Sequence, residues 1–244
     1  MRETERLDKT LVKRGLVNTR SIAQAMIMAG RVVVNGSVVN KAGHHVSGSE
    51  KIEIIEPTPY VSRGGLKIEG AFNKIDSIKI ENKVCIDIGA STGGFTDFLL
   101  KQGASLIYAV DVGKGLLSEK LTGNERIVVL DNTNARYIDR LTFEPQPTLA
   151  TIDVSFISLK LIIPPLLRIM SKPADIIALI KPQFEADRKY VKKGVVRDKQ
   201  VIESVVKKIE NFIIELGCEV RNIVPSTLKG PKGNQEYFIC FKYQ

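Results

Sequence analysis

Cysteine and histidine are scarce in this chain of 244 residues, which holds three cysteines (Cys85, Cys218, Cys240) and two histidines (His44, His45). No two cysteines stand in a C-x-x-C spacing, and the adjacent histidines lie near no cysteine pair. Each cysteine is flanked by apolar residues, as in KVCIDIG and YFICFK. A disulfide framework and a zinc site are therefore excluded, no metal is expected, and the thiols read as reduced core groups. Long apolar runs are lacking as well. LIIPPLL and ADIIALI fall short of the roughly 18 residues that a spanning helix needs. MRETERLDKTLVKR has neither the apolar core nor the cleavage site of a secretion signal. The expectation is a cytoplasmic protein, which argues against a pore-forming one. There is no internal repeat and no low-complexity tract.

What the chain has is positive charge: 36 Lys and Arg against 27 Asp and Glu, a formal +9. Such an excess favours a polyanionic partner such as nucleic acid. Between Arg6 and Lys41 it is concentrated, with seven basic residues (Arg6, Lys9, Lys13, Arg14, Arg20, Arg31, Lys41) facing a single acid, Asp8. Leu7, Leu11 and Val12 mark one face of a short helix that Gly15 ends. Ile22, Met26 and Ile27 mark a second, capped by Thr19 and stopped by Gly30. RVVVNGSVV then turns at Asn35-Gly36, a two-residue hairpin signal, and KIEIIE alternates as a third strand.

The runs RLDKTLVKRGL and SIAQAMIMAGRVVVNG resemble the small RNA-binding module named after ribosomal small-subunit protein four. The resemblance covers residues 5 to about 50. It implies that the helices and the turn after the hairpin face RNA, with Arg6, Arg20 and Lys41 as leading contacts and Arg14 beside them.

Pro57 and Pro59 interrupt regular structure. They predict a first domain over 1–56, a linker over 57–62 and a second domain over 63–244. Beyond the linker, KVCIDIG, SLIYAVDVG, RIVVLD, LATIDVSF and ADIIALI alternate with helical segments such as FTDFLLKQG and LIIPPLLRIM. That pattern predicts an α/β domain, a mostly parallel sheet with helices on both faces.

The sharpest local signal is Asp87-Ile-Gly89-Ala-Ser91-Thr-Gly93-Gly94-Phe95, a glycine-rich turn between an apolar strand and a helix. Ligands of such sheets bind at the carboxyl ends of strands, and free amides at the helix start favour an anionic group. Ser91 breaks the dinucleotide spacing G-x-G-x-x-G, and no Gly-Lys-Ser/Thr follows to make a P-loop. Asp111 ends the next strand, 22 residues past Gly89, where an acid can accept from ribose hydroxyls; Asp131 ends the one after. The turn resembles D-x-G-x-x-x-G-G of S-adenosylmethionine-dependent methyltransferases, whose Rossmann-like fold fits the alternation. The resemblance gives Asp87 to the cofactor's methionine amine, Asp111 to its ribose and Asp131 to its adenine edge.

Asp153, in TIDVSF, ends the fourth strand, where methyltransferase classes part company. An N-P-P-Tyr/Phe motif for exocyclic amines is absent, and no cysteine follows a proline to attack a pyrimidine ring. What remains is Lys67, Asp153, Lys181 and Glu236. Their order and contexts resemble those of ribose 2′-O-methyltransferases related to FtsJ. YVSRGGLK, DVSFISL, LIKPQFE and KKGVVRD are similar to the TlyA family, rRNA cytidine 2′-O-methyltransferases long labelled haemolysins. The resemblance implies a cytidine ribose in the rRNA of the small subunit, the large, or both. A ribose hydroxyl is a poor nucleophile, so a group must orient it or take its proton. Lys181 is the candidate base or orienting group, with Lys67 as a neighbouring cation and Asp153 and Glu236 holding both lysines. Lys189, Lys192 and Lys193, in a polar segment, are further candidate phosphate contacts. The rival is a non-catalytic RNA-binding ribosome assembly factor, which a cofactor-binding titration separates from an enzyme.

Overall fold

The computed structural model describes residues 4–28, 30–55, 58–75 and 78–244. The chain divides into two compact units, residues 1–58 and 59–244.

In the first unit, β1 (Thr4–Arg6) leads into α1 (Leu7–Lys13) and α2 (Arg20–Met28). Then come β2 (Val32–Val34), β3 (Ser37–Val38), β4 (His45–Ser47) and β5 (Ile52–Ile54). Asn35 and Gly36 take φ of 51° and 85°, the left-handed pair that a tight hairpin requires. The Thr19 hydroxyl accepts from the Ile22 amide, and Gly15 and Gly30 adopt positive φ after each helix. Leu7, Leu11, Ala23, Ile27, Val32, Val34, Val46 and Ile52 form the core. The buried face of α2 is set by Ala23 and Ile27, whereas Ile22 is exposed. The cause is the helical period: Ile22 precedes Ala23 by about 100°, which turns it off the stripe. Pairing of β1 with β4 gave no signal in the sequence, because each strand has only three residues.

The second unit begins before the expected boundary. Tyr60 is buried and its hydroxyl donates to Glu69, the Val61 amide donates to the Asp97 carboxylate, and Ser62 caps the next helix. Residues 60–62 thus pack as part of this unit rather than as linker; Pro57 lies outside the described residues.

Here α3 (Arg63–Phe72) precedes β6 (Val84–Ile88), α4 (Gly94–Lys101), β7 (Leu106–Val110), β8 (Ile127–Leu130) and β9 (Leu149–Ile152). They are followed by α5 (Ile163–Ile169), β10 (Ala174–Ile180), α6 (Pro182–Glu185), α7 (Lys199–Glu215), β11 (Glu219–Pro225) and β12 (Tyr237–Tyr243). The seven strands order as β11-β12-β10-β9-β6-β7-β8. Strands β10 through β8 run parallel, and β12 is antiparallel to both its neighbours. One face of the sheet buries α5 and α7 through Ile163, Leu166, Val205, Ile209 and Ile213. The other buries α3 and α4 through Ile68, Ala71, Phe95, Phe98 and Leu99. All three cysteines are buried, and burial pushes the thiols of Cys85 and Cys240 up to about 12, which keeps them protonated and inert.

Candidate active site

Strand order reverses between β6 and β9, so the carboxyl ends of β6, β7 and β9 surround a crevice. A cavity of about 300 Å³ opens there, lined among others by Gly89, Ser91, Asp111, Asn134, Asp153 and Phe156. Gly89, at φ 85°, lets the end of β6 approach the end of β9, since a Cβ would come within 2.7 Å of the Asp153 carbonyl. Asp111 accepts from the amides of Ser91 and Gly113, both at 2.8 Å, which fixes its carboxylate at the rim. Val112, Leu116, Val154 and Ile162 make the remaining walls apolar. An acid beside apolar walls suits the ribose and flat base of an adenosine.

Several residues expected at the cofactor lie off the cavity. Asp87 is fully buried, and its two oxygens accept from Thr96 Oγ1 at 2.7 Å and Thr151 Oγ1 at 2.9 Å. It ties β6 to α4 and β9, and burial raises its pKa to about 6. Gly93 is left-handed at φ 89° and has Leu117 and Leu121 where a side chain would go; Gly94 packs on α3. Phe95 is 3% exposed and packs in the core against Phe238. Asp131 accepts from the Gly115 amide at 2.8 Å and is absent from the lining. The glycine-rich turn, the strand ends and the family resemblance pointed to these residues, but only contact distinguishes a lining acid from a bracing one.

The other four form two ion pairs, and strand register places three of them at adjoining strand ends. Asp153 and Lys181 directly follow β9 and β10, adjacent parallel strands, while Glu236 directly precedes β12, whose Tyr237 pairs with Ile180. Lys181 Nζ lies 2.6 Å from Asp153 Oδ1 and donates to Ser155 Oγ at 2.9 Å. Lys67, reaching from α3, lies 2.7 Å from Glu236 Oε2. The Gln183 amide donates to Glu236 Oε1 at 3.2 Å. Lys181 and Glu236 are buried despite their charge, so each relies on its partner. Glu185 sews the two motifs together, accepting from the Ser158 hydroxyl and the Leu159 amide, and burial raises its pKa.

Three residues escaped the sequence reading. Ser155 and Gln183 are uncharged, and nothing but contact marks them. Phe156 is 89% exposed with φ 64°, on the cavity rim, its ring 4.8 Å from that of Phe184. A bulky residue held outward in that conformation is a signal of function that only coordinates reveal.

In the first unit, Asp8 is fully buried and gathers Arg6 and Arg20, both at 3.0 Å, together with Gln24. Its carboxyl is held well below the usual range, chiefly by the hydrogen bond from Arg6. This acid thus positions two of the expected RNA contacts, which stay partly exposed. Arg14 instead donates to the carbonyls of Ser47, Gly48 and Glu50, which makes it a brace for that turn. Lys41, Lys189, Lys192 and Lys193 are exposed.

The sheet order, the reversal crevice and the glycine turn define an S-adenosylmethionine-dependent methyltransferase. A model of the FtsJ-like methyltransferase family matches residues 60–243, and an S4 domain model matches residues 5–52. The chain is 38% identical over 247 residues to 16S/23S rRNA (cytidine-2′-O)-methyltransferase TlyA of Mycobacterium tuberculosis, covering 100% of this chain and 92% of that one. It is 42% identical over 238 residues to Hemolysin A of Brachyspira hyodysenteriae, covering 97% and 99%. A solved hemolysin-named structure from Streptococcus thermophilus superposes with a TM-score of 0.77 at 39% identity, covering 100% and 90%. The chain belongs to the FtsJ-like methyltransferases and, within them, to the TlyA family. Among the described residues no helix is long and apolar enough to cross a membrane.

Proposed function

We propose that this protein transfers a methyl group from S-adenosylmethionine to the ribose 2′-oxygen of cytidine in ribosomal RNA, within the small ribosomal subunit, the large, or both. The observation that carries this reading is the ion pair Lys181–Asp153, whose acid lines the cavity that Asp111 edges, together with the pair Lys67–Glu236, whose acid precedes the neighbouring strand. No amine-methylation motif and no nucleophilic cysteine stands there. When bound, the cofactor supplies a sulfonium-activated methyl group.

The chain's own residues do the rest. Asp111 accepts from the cofactor's ribose hydroxyls, and the apolar walls hold its base. Lys181, fixed by Asp153 and Ser155, orients the 2′-hydroxyl or takes its proton as the methyl is accepted, while Glu236 holds Lys67 beside it. Phe156 offers a face on which the target base can stack. Arg6, Arg20 and Lys41, with Lys189, Lys192 and Lys193, meet rRNA phosphates. Such a substrate sets the protein to work in the cytoplasm.

The test is to incubate the full chain with labelled S-adenosylmethionine and each isolated ribosomal subunit, then map 2′-O-methyl positions. Transfer to a cytidine ribose is expected, and Lys181→Ala should abolish it while still binding cofactor. Transfer to neither subunit, or wild-type turnover by Lys181→Ala, overturns the reading or the assignment respectively.

A further inference from the structure

A second concavity of about 480 Å³ lies on the catalytic unit, lined by Val195, Arg197, Lys199, Ile202, Glu203, Lys229, Lys232 and Tyr237 among others. Four cations and one acid surround it. Among the described residues none of Arg197, Lys199, Lys229 and Lys232 is in an ion pair, whereas Lys51, an exposed lysine elsewhere, pairs with Glu53. Unpaired cations around one hollow repel each other, and an anion relieves that cost.

The walls of the hollow are fixed. Asn234 is 2% exposed and joins the two loops that form it, its amide donating to the Gly194 carbonyl at 2.8 Å and its oxygen accepting from the Val196 amide at 3.1 Å. On one side, Lys193 and Gly194 close a tight turn at φ 52° and 81°. On the other, Lys232 is held at φ 63°, with its ammonium so close over Gly194 that a Cβ there would meet it at 3.0 Å. The start of α7 contributes nothing to anion binding, because the Asp198 carboxylate already accepts from the amides of Gln200 and Val201. Any attraction comes from the four side chains.

The hollow also adjoins the catalytic pair. Glu236 follows Asn234 by two residues, and a Cβ on Gly230 would collide with the Glu236 carboxylate. Tyr237, which lines the hollow, is the next residue.

We infer that this hollow is a phosphodiester site, in which Arg197, Lys199, Lys229 and Lys232 grip the RNA backbone beside the nucleotide that the catalytic residues address. The inference rests on the rRNA reading above and adds a backbone contact on the catalytic unit itself. Tyr237 and Ile202 in the lining give apolar surface that accommodates sugar carbons, while the arginine and three lysines bracket the charged oxygens.

The test measures binding of the full chain to an isolated ribosomal subunit across a salt series, for Arg197→Gln, Lys229→Gln and the remote charge control Lys207→Gln. Affinity should fall roughly threefold or more for each of the first two, with the slope of log K against log salt shallower by about one. Methyl transfer at subsaturating RNA should fall in step, with cofactor affinity unchanged. Unaltered slopes, or the same change in Lys207→Gln, overturn the inference. If the wild type binds the subunit but transfers no methyl group, the enzymatic reading fails while the binding series still decides the hollow's role.

Discussion

Lys67 Nζ and Glu236 Oε2 stand 2.7 Å apart across 169 residues of sequence, and the glutamate has no exposed surface. The lysine comes from a helix that precedes the large sheet in sequence, and the glutamate from the residue just before its last strand. Their meeting therefore requires a finished fold. Replacing Glu236 by Gln leaves a nearly buried ammonium with no counter-charge, a change that costs about 3–5 kcal/mol when the site cannot rearrange. Glu236→Gln should lower the unfolding midpoint in urea and cut methyl transfer by about 10²-fold or more, with cofactor still bound. Wild-type turnover in that variant would make the pair a structural brace with no part in the reaction.

Two acids assigned to the cofactor from their strand-end positions part company in space. Asp111 edges the cavity, whereas Asp131 accepts from Gly115 and lies off it. Asp111→Asn should raise the cofactor dissociation constant by about 10- to 100-fold, or roughly 1.4–2.8 kcal/mol, the range for a hydrogen-bonding partner with charge. Asp131→Asn should change it far less. Calorimetric titration of both variants with S-adenosylhomocysteine measures the difference, and equal losses would mean that Asp131 reaches the ligand after all.

Phe156 presents most of its ring to solvent, so its removal creates no cavity. The unfolding free energy of Phe156→Ala should stay within about 0.5 kcal/mol of wild type. Stacking of a base on an aromatic ring contributes about 1–3 kcal/mol, so KM for the ribosomal subunit should rise about fivefold or more at saturating cofactor. A lower unfolding midpoint with KM unchanged would reassign the ring to packing against Phe184.

The sequence was most legible where a pattern is local. The hairpin at Asn35-Gly36, the helix stops at Gly15 and Gly30, and the alternation of strands and helices are each set by neighbours within a few residues. Of the four candidate residues, Asp153 and Lys181 were legible because each follows an apolar strand, where a charge is conspicuous, while Lys67 and Glu236 were legible through the family resemblance. What the sequence hid was orientation. Asp87 and Phe95 belong to the same motif as Gly89 and Ser91, yet the former pair face the core and the latter the cavity. A turn changes direction at every residue, so motif membership carries no information about which side of it meets a ligand. Asp8 was visible only as an exception to a basic run, and its role as the hub for Arg6 and Arg20 depends on burial.

Asp87 has a consequence for pH. Its oxygens meet threonine hydroxyls and no cation, and burial, aided by repulsion from Asp153, raises its pKa from 3.8 to about 6. In the unfolded chain the same carboxyl titrates near its ordinary value, so the fold favours the protonated acid. The resulting stabilisation is fully present below about pH 4 and is lost as pH rises through about 6, a change on the order of 3 kcal/mol. Asp87→Asn is neutral throughout and keeps an acceptor for one threonine, so it does not share this loss. Between pH 4.5 and 7.5 the variant should therefore gain on the wild type in urea unfolding free energy, with the change centred between pH 5 and 6.5. Because the oxygens stay buried, this pH-dependent gain should appear equally in protein without cofactor. Stability curves that run parallel for the two proteins would mean that Asp87 does not titrate in this range, and that the threonine hydroxyls suffice to hold its charge.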